Sequence, residues 1–307
     1  MDFHLRALIT SVGNINHCVT EFVRVNHQLY PAKVFHRYCP ELANEGKTLS
    51  GTPVHIQLLG SDPACMADNA AKAASLGAPA IDLNFGCPAK TVNRSQGGAV
   101  LLQYPEVLQQ VASAVRKAVP AHVPISAKMR LGYLDKSLAL DNAQALESAG
   151  INWLTVHART KTEGYKPPAH WEWISRIREM VTIPVLANGE IWTPKDAKRC
   201  QDISGSNLLM IGRGLVATPD LACQIQRDHG RIQHTNYQFQ DYMTLFRQLA
   251  HQLNHLSDKQ LTDRLKQWLH YYAMHSDEMK QVFHAVRIYR ERDRFFAALD
   301  QALCKTH

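Results

Sequence analysis

Residues 152–158 read NWLTVHA, a short apolar and β-branched run that ends on a polar side chain, and the same plan recurs through the first 230 residues of the 307-residue chain. The runs are HCVTEFVRV (17–25), VHIQLLG (54–60), AIDLNFG (80–86), PISAKMR (124–130), NWLTVHA (152–158), PVLANG (184–189) and LLMIGRG (208–214). Separated by segments of helical period, they read as buried parallel strands. Their recurrence about every thirty residues is the length of a βαβ unit. Prolines open the intervening helices where the first helical position tolerates one: Pro63 behind Asp62, Pro105 and Pro194.

Polar or special residues cluster at the C-terminal end of every run: Arg24; Gln57; Asn84 with Cys87; Lys128 with Arg130; His157 with Arg159; Asn188 with Glu190; Gly212 with Arg213. In an open doubly wound sheet such residues gather at one switch point, whereas in a (β/α)8 barrel every strand end faces the active site. The expected fold is therefore α/β, a (β/α)8 TIM barrel. Only seven runs are found, and the chain opens on the amphipathic segment DFHLRALITSVG. The first barrel strand is thus expected to be absent from this chain, leaving a sheet that cannot close on itself. Beyond residue 234 the strand pattern stops, and YQFQDYMTLFRQLAHQLNHL, LTDRLKQWLHYYAM and DEMKQVFHAVRIYRERDRFFAALDQAL carry apolar residues three and four apart. The expected organisation is a barrel over 1–234 and a small all-helical domain over 235–307.

Composition narrows the classes. With 45% hydrophobic and 20% charged residues, disordered and fibrous proteins are excluded. No apolar run reaches the roughly 18 residues of a membrane helix and no leader is visible, so a cytoplasmic location is expected. Thirty-four Lys+Arg against 27 Asp+Glu give +7, which favours an anionic partner such as nucleic acid. Residues 235–307 hold ten basic and eight acidic side chains. A nucleic-acid role there must rest on local placement of Arg264, Lys266, Arg287, Arg290, Arg292 and Arg294, with Trp268, Tyr271 and Tyr272 either stacking on bases or forming core. The seven cysteines never form Cys-x-x-Cys, and His251 and His255 lack a third ligand nearby; no metal is expected.

The last two runs, with Asn188-Gly189-Glu190 and Gly212-Arg213-Gly214, lie where barrels hold a phosphate on backbone N–H groups, which suits a phosphorylated cofactor such as FMN. Lys128 and His157 lie halfway round and could place charge or donors at the pyrimidine edge of a flavin; a structural ion pair is the alternative for Lys128. Cys87 sits on a Gly- and Pro-flanked loop. A thiol near its ordinary pKa of about 8.5 is mostly protonated at neutral pH and so acts as a proton donor.

Leu83-Asn84-Phe85-Gly86-Cys87-Pro88, Lys90-Thr91-Val92-Asn93, Gly97-Gly98-Ala99, Lys128-Met129-Arg130, Val156-His157-Ala158-Arg159-Thr160, Ala187-Asn188-Gly189-Glu190 and Met210-Ile211-Gly212-Arg213-Gly214 together resemble, in order and spacing, the tRNA-dihydrouridine synthases. Thr20-Glu21-Phe22-Val23-Arg24-Val25, Val34-Phe35-His36-Arg37 and Ile191-Trp192 resemble the bacterial C subfamily, which acts on uridine 16 of the D-loop. The resemblance implies an FMN-bearing barrel and a helical tRNA-binding domain, with NADPH reducing the flavin. By the same resemblance Gln57, Lys128, His157, Asn188, Gly189, Glu190, Gly212 and Arg213 contact FMN, and Cys87 is the catalytic acid. Arg24, Asn84, Tyr165, Arg264, Lys266 and Tyr271 orient tRNA and its target base. The family opens on a strand ending in a Pro-Met segment that this chain does not contain. The expected protein is a monomer; the rival readings are a flavin-less RNA-binding protein with an incomplete barrel and a flavin reductase of a small free pyrimidine.

Overall fold

The computed structural model describes residues 1–233, 235–274 and 276–304. The chain forms two compact units, one of Met1–Arg6, Ile15–Ile191 and Lys195–Ile211, the other of Ala7–Asn14, Trp192–Pro194 and Gly212–His307. No helix of the described residues is long and apolar enough to cross a membrane.

The first unit is built on a parallel sheet of β1 (Cys18–Val19), β2 (Val23–Arg24), β3 (Val54–Leu59), β4 (Ile81–Phe85), β5 (Ile125–Arg130), β6 (Trp153–His157), β7 (Val185–Asn188) and β8 (Leu209–Met210). Each of the seven expected runs supplies one strand position, in chain order. The run 17–25 is a single position broken by a bulge: Val19 pairs with His55 and Val23 with Leu58, so four steps on one side meet three on the other. Thr20 fills the gap, its N–H donating to His55 O (3.0 Å) and its hydroxyl accepting Gln57 N–H (3.0 Å). β1 and β8 end the pairing order, and no ladder joins them among the described residues.

Strand register sorts the side chains by face, because successive residues point to opposite sides. One set pairs as Ile56–Ile81–Ile125, Leu58–Leu83–Ala127–Leu154–Val185 and Phe85–Met129–Val156–Ala187–Leu209, almost all of it fully buried. This apolar face is of the kind that helices cover. Pro63–Ser75, Pro105–Ala118, Ala139–Ser148, Trp171–Met180 and Pro194–Ser204 alternate with the strands, and Pro105–Ala118 buries Leu108, Val111, Ala112 and Val115 at helical spacing. Each of these leucine and valine side chains is worth roughly 1.5–3 kcal/mol on burial. Asp62 caps Pro63–Ser75 by accepting Cys65 N–H at 2.8 Å.

The other face is polar, in three tiers: Gln57–Asp82–Ser126–Trp153, then Asn84–Lys128–Thr155–Leu186, then Arg130–His157–Asn188–Met210. The sheet curls around this face. His55 on β3 and Trp153 on β6 are three positions apart, roughly 14 Å in a flat sheet, yet their rings stand 5.6 Å apart. The result is an open, barrel-like α/β fold with a polar interior.

In the second unit, Phe239–Gln252, Asp258–Tyr272, Asp277–Val286 and Arg292–Leu303 are the helices expected from periodicity. Gln238 with Asp241 and Ser257 with Gln260 form capping boxes, and Ser276 accepts Met279 N–H. Phe246, Leu265, Leu269, Val282, Phe295 and Leu299 form the core. Trp268, whose indole N–H donates to Val216 O (2.8 Å), and Tyr272 are buried with them, so neither ring is open to a base. The boundary expected after residue 234 falls on His234, outside the described residues.

Candidate active site

The lower two tiers of the sheet interior carry a continuous polar chain. Asp82, buried on β4, accepts Ser126 Oγ–H at 2.5 Å and Gln57 Nε2–H at 2.6 Å. Gln57 Oε1 accepts Asn84 Nδ2–H at 2.7 Å, and Asn84 Oδ1 accepts the N–H of Gly86 at 3.0 Å. Burial pushes the Asp82 carboxyl above the usual carboxylate range, against the two hydrogen bonds and the nearby Lys128 ammonium. Gly86 leads into Cys87, a half-buried free thiol. Asn93 Nδ2–H and Ala99 N–H both donate to Cys87 O. Gly98, at φ +67°, lies so close that a Cβ would meet Cys87 O at 2.8 Å, so the loop needs glycine there.

On the other side of the interior, Lys128 Nζ donates to Asn188 Oδ1 (3.0 Å), and Asn188 Nδ2 donates to Met210 O (2.8 Å). This brings β5 and β7 side chains together across β6, another mark of curl. Burial pushes the Lys128 ammonium down to about 8, with the Arg130 charge adding to it and Asp82 opposing. Beyond β7 the backbone is left-handed at Gly189 (φ +116°) and Glu190 (φ +58°). A Cβ on Gly189 would fall 2.8 Å from the His157 ring, so the glycine lets the turn lie against that imidazole. Trp171 Nε1–H donates to Gly189 O (3.0 Å) and the buried Arg159 pairs with the Glu190 carboxylate, fixing the turn from two sides.

Arg130 clasps two loops. Its Nε donates to Gly86 O at 2.9 Å, and its Nη1 to Thr160 O (3.0 Å) and Gly164 O (2.9 Å). Tyr165, half exposed, lies over the guanidinium at 5.2 Å and 5.9 Å from the His157 ring. Arg24 donates to Thr91 O (3.2 Å) and Ser95 Oγ (2.6 Å), on the segment that follows Cys87.

Of the residues expected to act, the first unit therefore gathers Gln57, Asn84, Lys128, His157, Asn188, Gly189 and Glu190 at one end of its sheet, with Cys87, Tyr165 and Arg24 on the loops above them. In the second unit, Arg213 stands over the Trp192 ring at 5.0 Å and Gly212 opens the helix Arg213–Ala217. Arg264 and Lys266 lie on Asp258–Tyr272; Arg264 is exposed, and Lys266 and Tyr271 are half-buried. Over residues 1–304 the sequence matches the family described as Dihydrouridine synthase (Dus). The chain belongs to the dihydrouridine synthase family.

Among its relatives, the tRNA-dihydrouridine(16) synthase of Pseudomonas syringae pv. tomato is 51% identical over 302 residues, covering 97% of this chain and 95% of that protein. The enzyme of the same name from Shewanella oneidensis is 47% identical over 305 residues, 98% of this chain and 95% of that one. Two solved structures share the fold: the old yellow enzyme homologue of Zymomonas mobilis (TM-score 0.50, 11% identity, 78% of this chain and 86% of that one) and histamine dehydrogenase from Rhizobium sp. 4-9 (TM-score 0.53, 15% identity, 74% and 43%).

Sequence reasoning passed over Asp82, Ser126 and Thr155. Their signal was the period of two inside runs taken as uniformly apolar. Thr155 Oγ1 and Arg159 Nη1 are buried without a hydrogen-bond partner among the described residues, and both belong to β6 or its C-terminal extension.

Proposed function

We propose that this protein reduces uridine 16 in the D-loop of tRNA to 5,6-dihydrouridine, using bound FMN and NADPH as the electron source, and that it does so as a cytoplasmic monomer. The observation that carries the reading is identity of about half, over nearly the whole chain, to proteins named tRNA-dihydrouridine(16) synthase. The residues present fit a flavin. The interior face offers the Lys128 ammonium and the Gln57 amide as donors, the unpartnered Thr155 hydroxyl lies among them, and Gly189 lets the turn after β7 lie against the His157 imidazole at the same end of the sheet. Gly212 and Arg213 are assigned to FMN by the resemblance alone; a Cβ on Gly212 would meet nothing within 4 Å, leaving the backbone open to a phosphate.

A reduced flavin held by Gln57 and Lys128 would supply the hydride that C6 of the uracil requires. The protein's part is to place the ring and deliver a proton. Cys87, on the loop held by Gly98, Asn93 and Arg130, gives its Sγ proton to C5, relieving the enolate-like charge on the uracil. Asn84 and Tyr165 orient the base, which must leave its stack to reach the sheet interior. Lys128 favours added negative charge beside it. Arg24 from the first unit and Arg264, Lys266 and Tyr271 from the second grip the RNA. Arg292 and Arg294 are less suited to that, being tied to Asp258 and Glu291.

The test is to map dihydrouridine in tRNA from cells with and without the gene, and to assay the purified yellow protein with NADPH on modification-free tRNA. Loss of dihydrouridine at position 16 alone is the expected result. Reduction of free uracil without tRNA, or a colourless protein that shifts tRNA yet reduces nothing, would overturn the reading.

A further inference from the structure

The hydrogen-bond chain inside the sheet has a direction fixed at both ends. The N–H of Gly86 can only donate, so Asn84 must turn Oδ1 toward it and Nδ2 toward Gln57. Gln57 then accepts through Oε1 and has Nε2 left for Asp82. Asp82 Oδ2 accepts that hydrogen while Oδ1 accepts Ser126 Oγ–H. An amide side chain has two orientations of nearly the same shape, and only its partners decide between them. Here a backbone donor at one end and a carboxylate at the other leave Gln57 a single choice. After these bonds Gln57 keeps one hydrogen and one lone pair at defined places for a bound ring.

The orientation matters because the pyrimidine edge of a flavin alternates carbonyl, N–H and carbonyl. A reversed amide sets oxygen against oxygen or hydrogen against hydrogen. We propose that Asp82 is a positioning residue for flavin binding: its buried carboxylate, steadied by Ser126, holds the Gln57 amide in the one orientation that complements the isoalloxazine edge. The proposal rests on the flavin reading above. Asp82 itself touches no ligand; it acts through Gln57. A merely structural acceptor in the core would show no such dependence.

The experiment is a double-mutant cycle on FMN affinity, read by quenching of flavin fluorescence on titration into apoprotein, with far-UV circular dichroism and thermal melts as folding controls. Asp82→Leu and Gln57→Ala are each expected to weaken FMN about tenfold, and the double variant to be no weaker than Gln57→Ala. Asp82→Asn, which can present Oδ1 to Gln57 and Nδ2 to the Ser126 hydroxyl, is expected to restore affinity to within about threefold of the parent. Should Asp82→Leu fail to fold, Ser126→Ala takes its place in the cycle, with a smaller loss that also vanishes in the Gln57→Ala background. An unchanged affinity, or losses that add in full, overturns the positioning role while leaving the flavin reading standing. A parent protein that takes up no FMN overturns both.

Discussion

The two ends of the sheet bury polar groups in opposite ways. At the N-terminal end, the imidazoles of His17 and His55 stack at 4.3 Å and 12°, with Trp153 tilted against both. His55 is buried, its Nδ1 has no partner among the described residues, and burial pushes it down to about 3. This end is a neutral plug. Toward the C-terminal end, Asp82 and Arg130 are buried and Lys128 is half-buried, but each is wired to named donors or acceptors. One end avoids charge and fills space; the other keeps charge and directs it. That division is what a barrel with stability at its floor and chemistry at its rim requires.

The largest expected effect tests the rim. Cys87→Ala is expected to lower turnover on tRNA by about 10²–10⁴-fold with FMN affinity and melting temperature unchanged; a retained rate would remove Cys87 from the proton step. Lys128→Met is expected to cost about tenfold or more in FMN affinity, measured by the same fluorescence titration, because a cation beside the ring is replaced by an unbranched neutral chain of similar shape.

At the floor the expectation is a pH effect on stability. His55 takes a proton near 6.5 when unfolded but only near 3 when folded, so the unfolded chain binds protons first. The stabilisation is complete above about pH 6.5 and falls by about 1.4 kcal/mol per unit as pH drops toward 3. Urea melts between pH 7 and 4 should show this slope in the parent and a flatter one in His55→Leu; equal slopes would mean that another group governs the acid limb. The smallest effect lies between the two ends. Thr155→Val removes an unpartnered buried hydroxyl, so the apoprotein is expected to melt a degree or two higher, by about 0.5 kcal/mol or more, while FMN binding weakens a few-fold.

Much of this was legible from the chain. The seven strand positions, the proline-opened helices and the C-terminal helices followed from local pattern, which depends on neighbours in sequence. What was hidden depends on register. Asp82 in AIDLNFG reads as an interruption in an apolar strand until pairing sets it beside Gln57 and Ser126. Arg6 and Glu41, a fully buried bidentate pair at 2.9 Å, are 35 positions apart with nothing local to link them. In the helical unit, six basic candidates read alike in the sequence, and only the fold shows Arg292 paired with Asp258 and Arg294 with Glu291.

The bulge at Thr20 carries a consequence of parity. Before it, Val19 shares the inward side with His55; after it, the extra residue lets Val23 join the apolar layer with Leu58 and hands the inward side to Arg24. Straightened without the bulge, the same residues would exchange their roles, burying a guanidinium under the helices and pointing a valine at the cavity, whereas deleting one residue between Thr20 and Val23 would leave three steps against three and keep both faces as they are. At this spot it is the bulge that decides which side chain looks into the cavity.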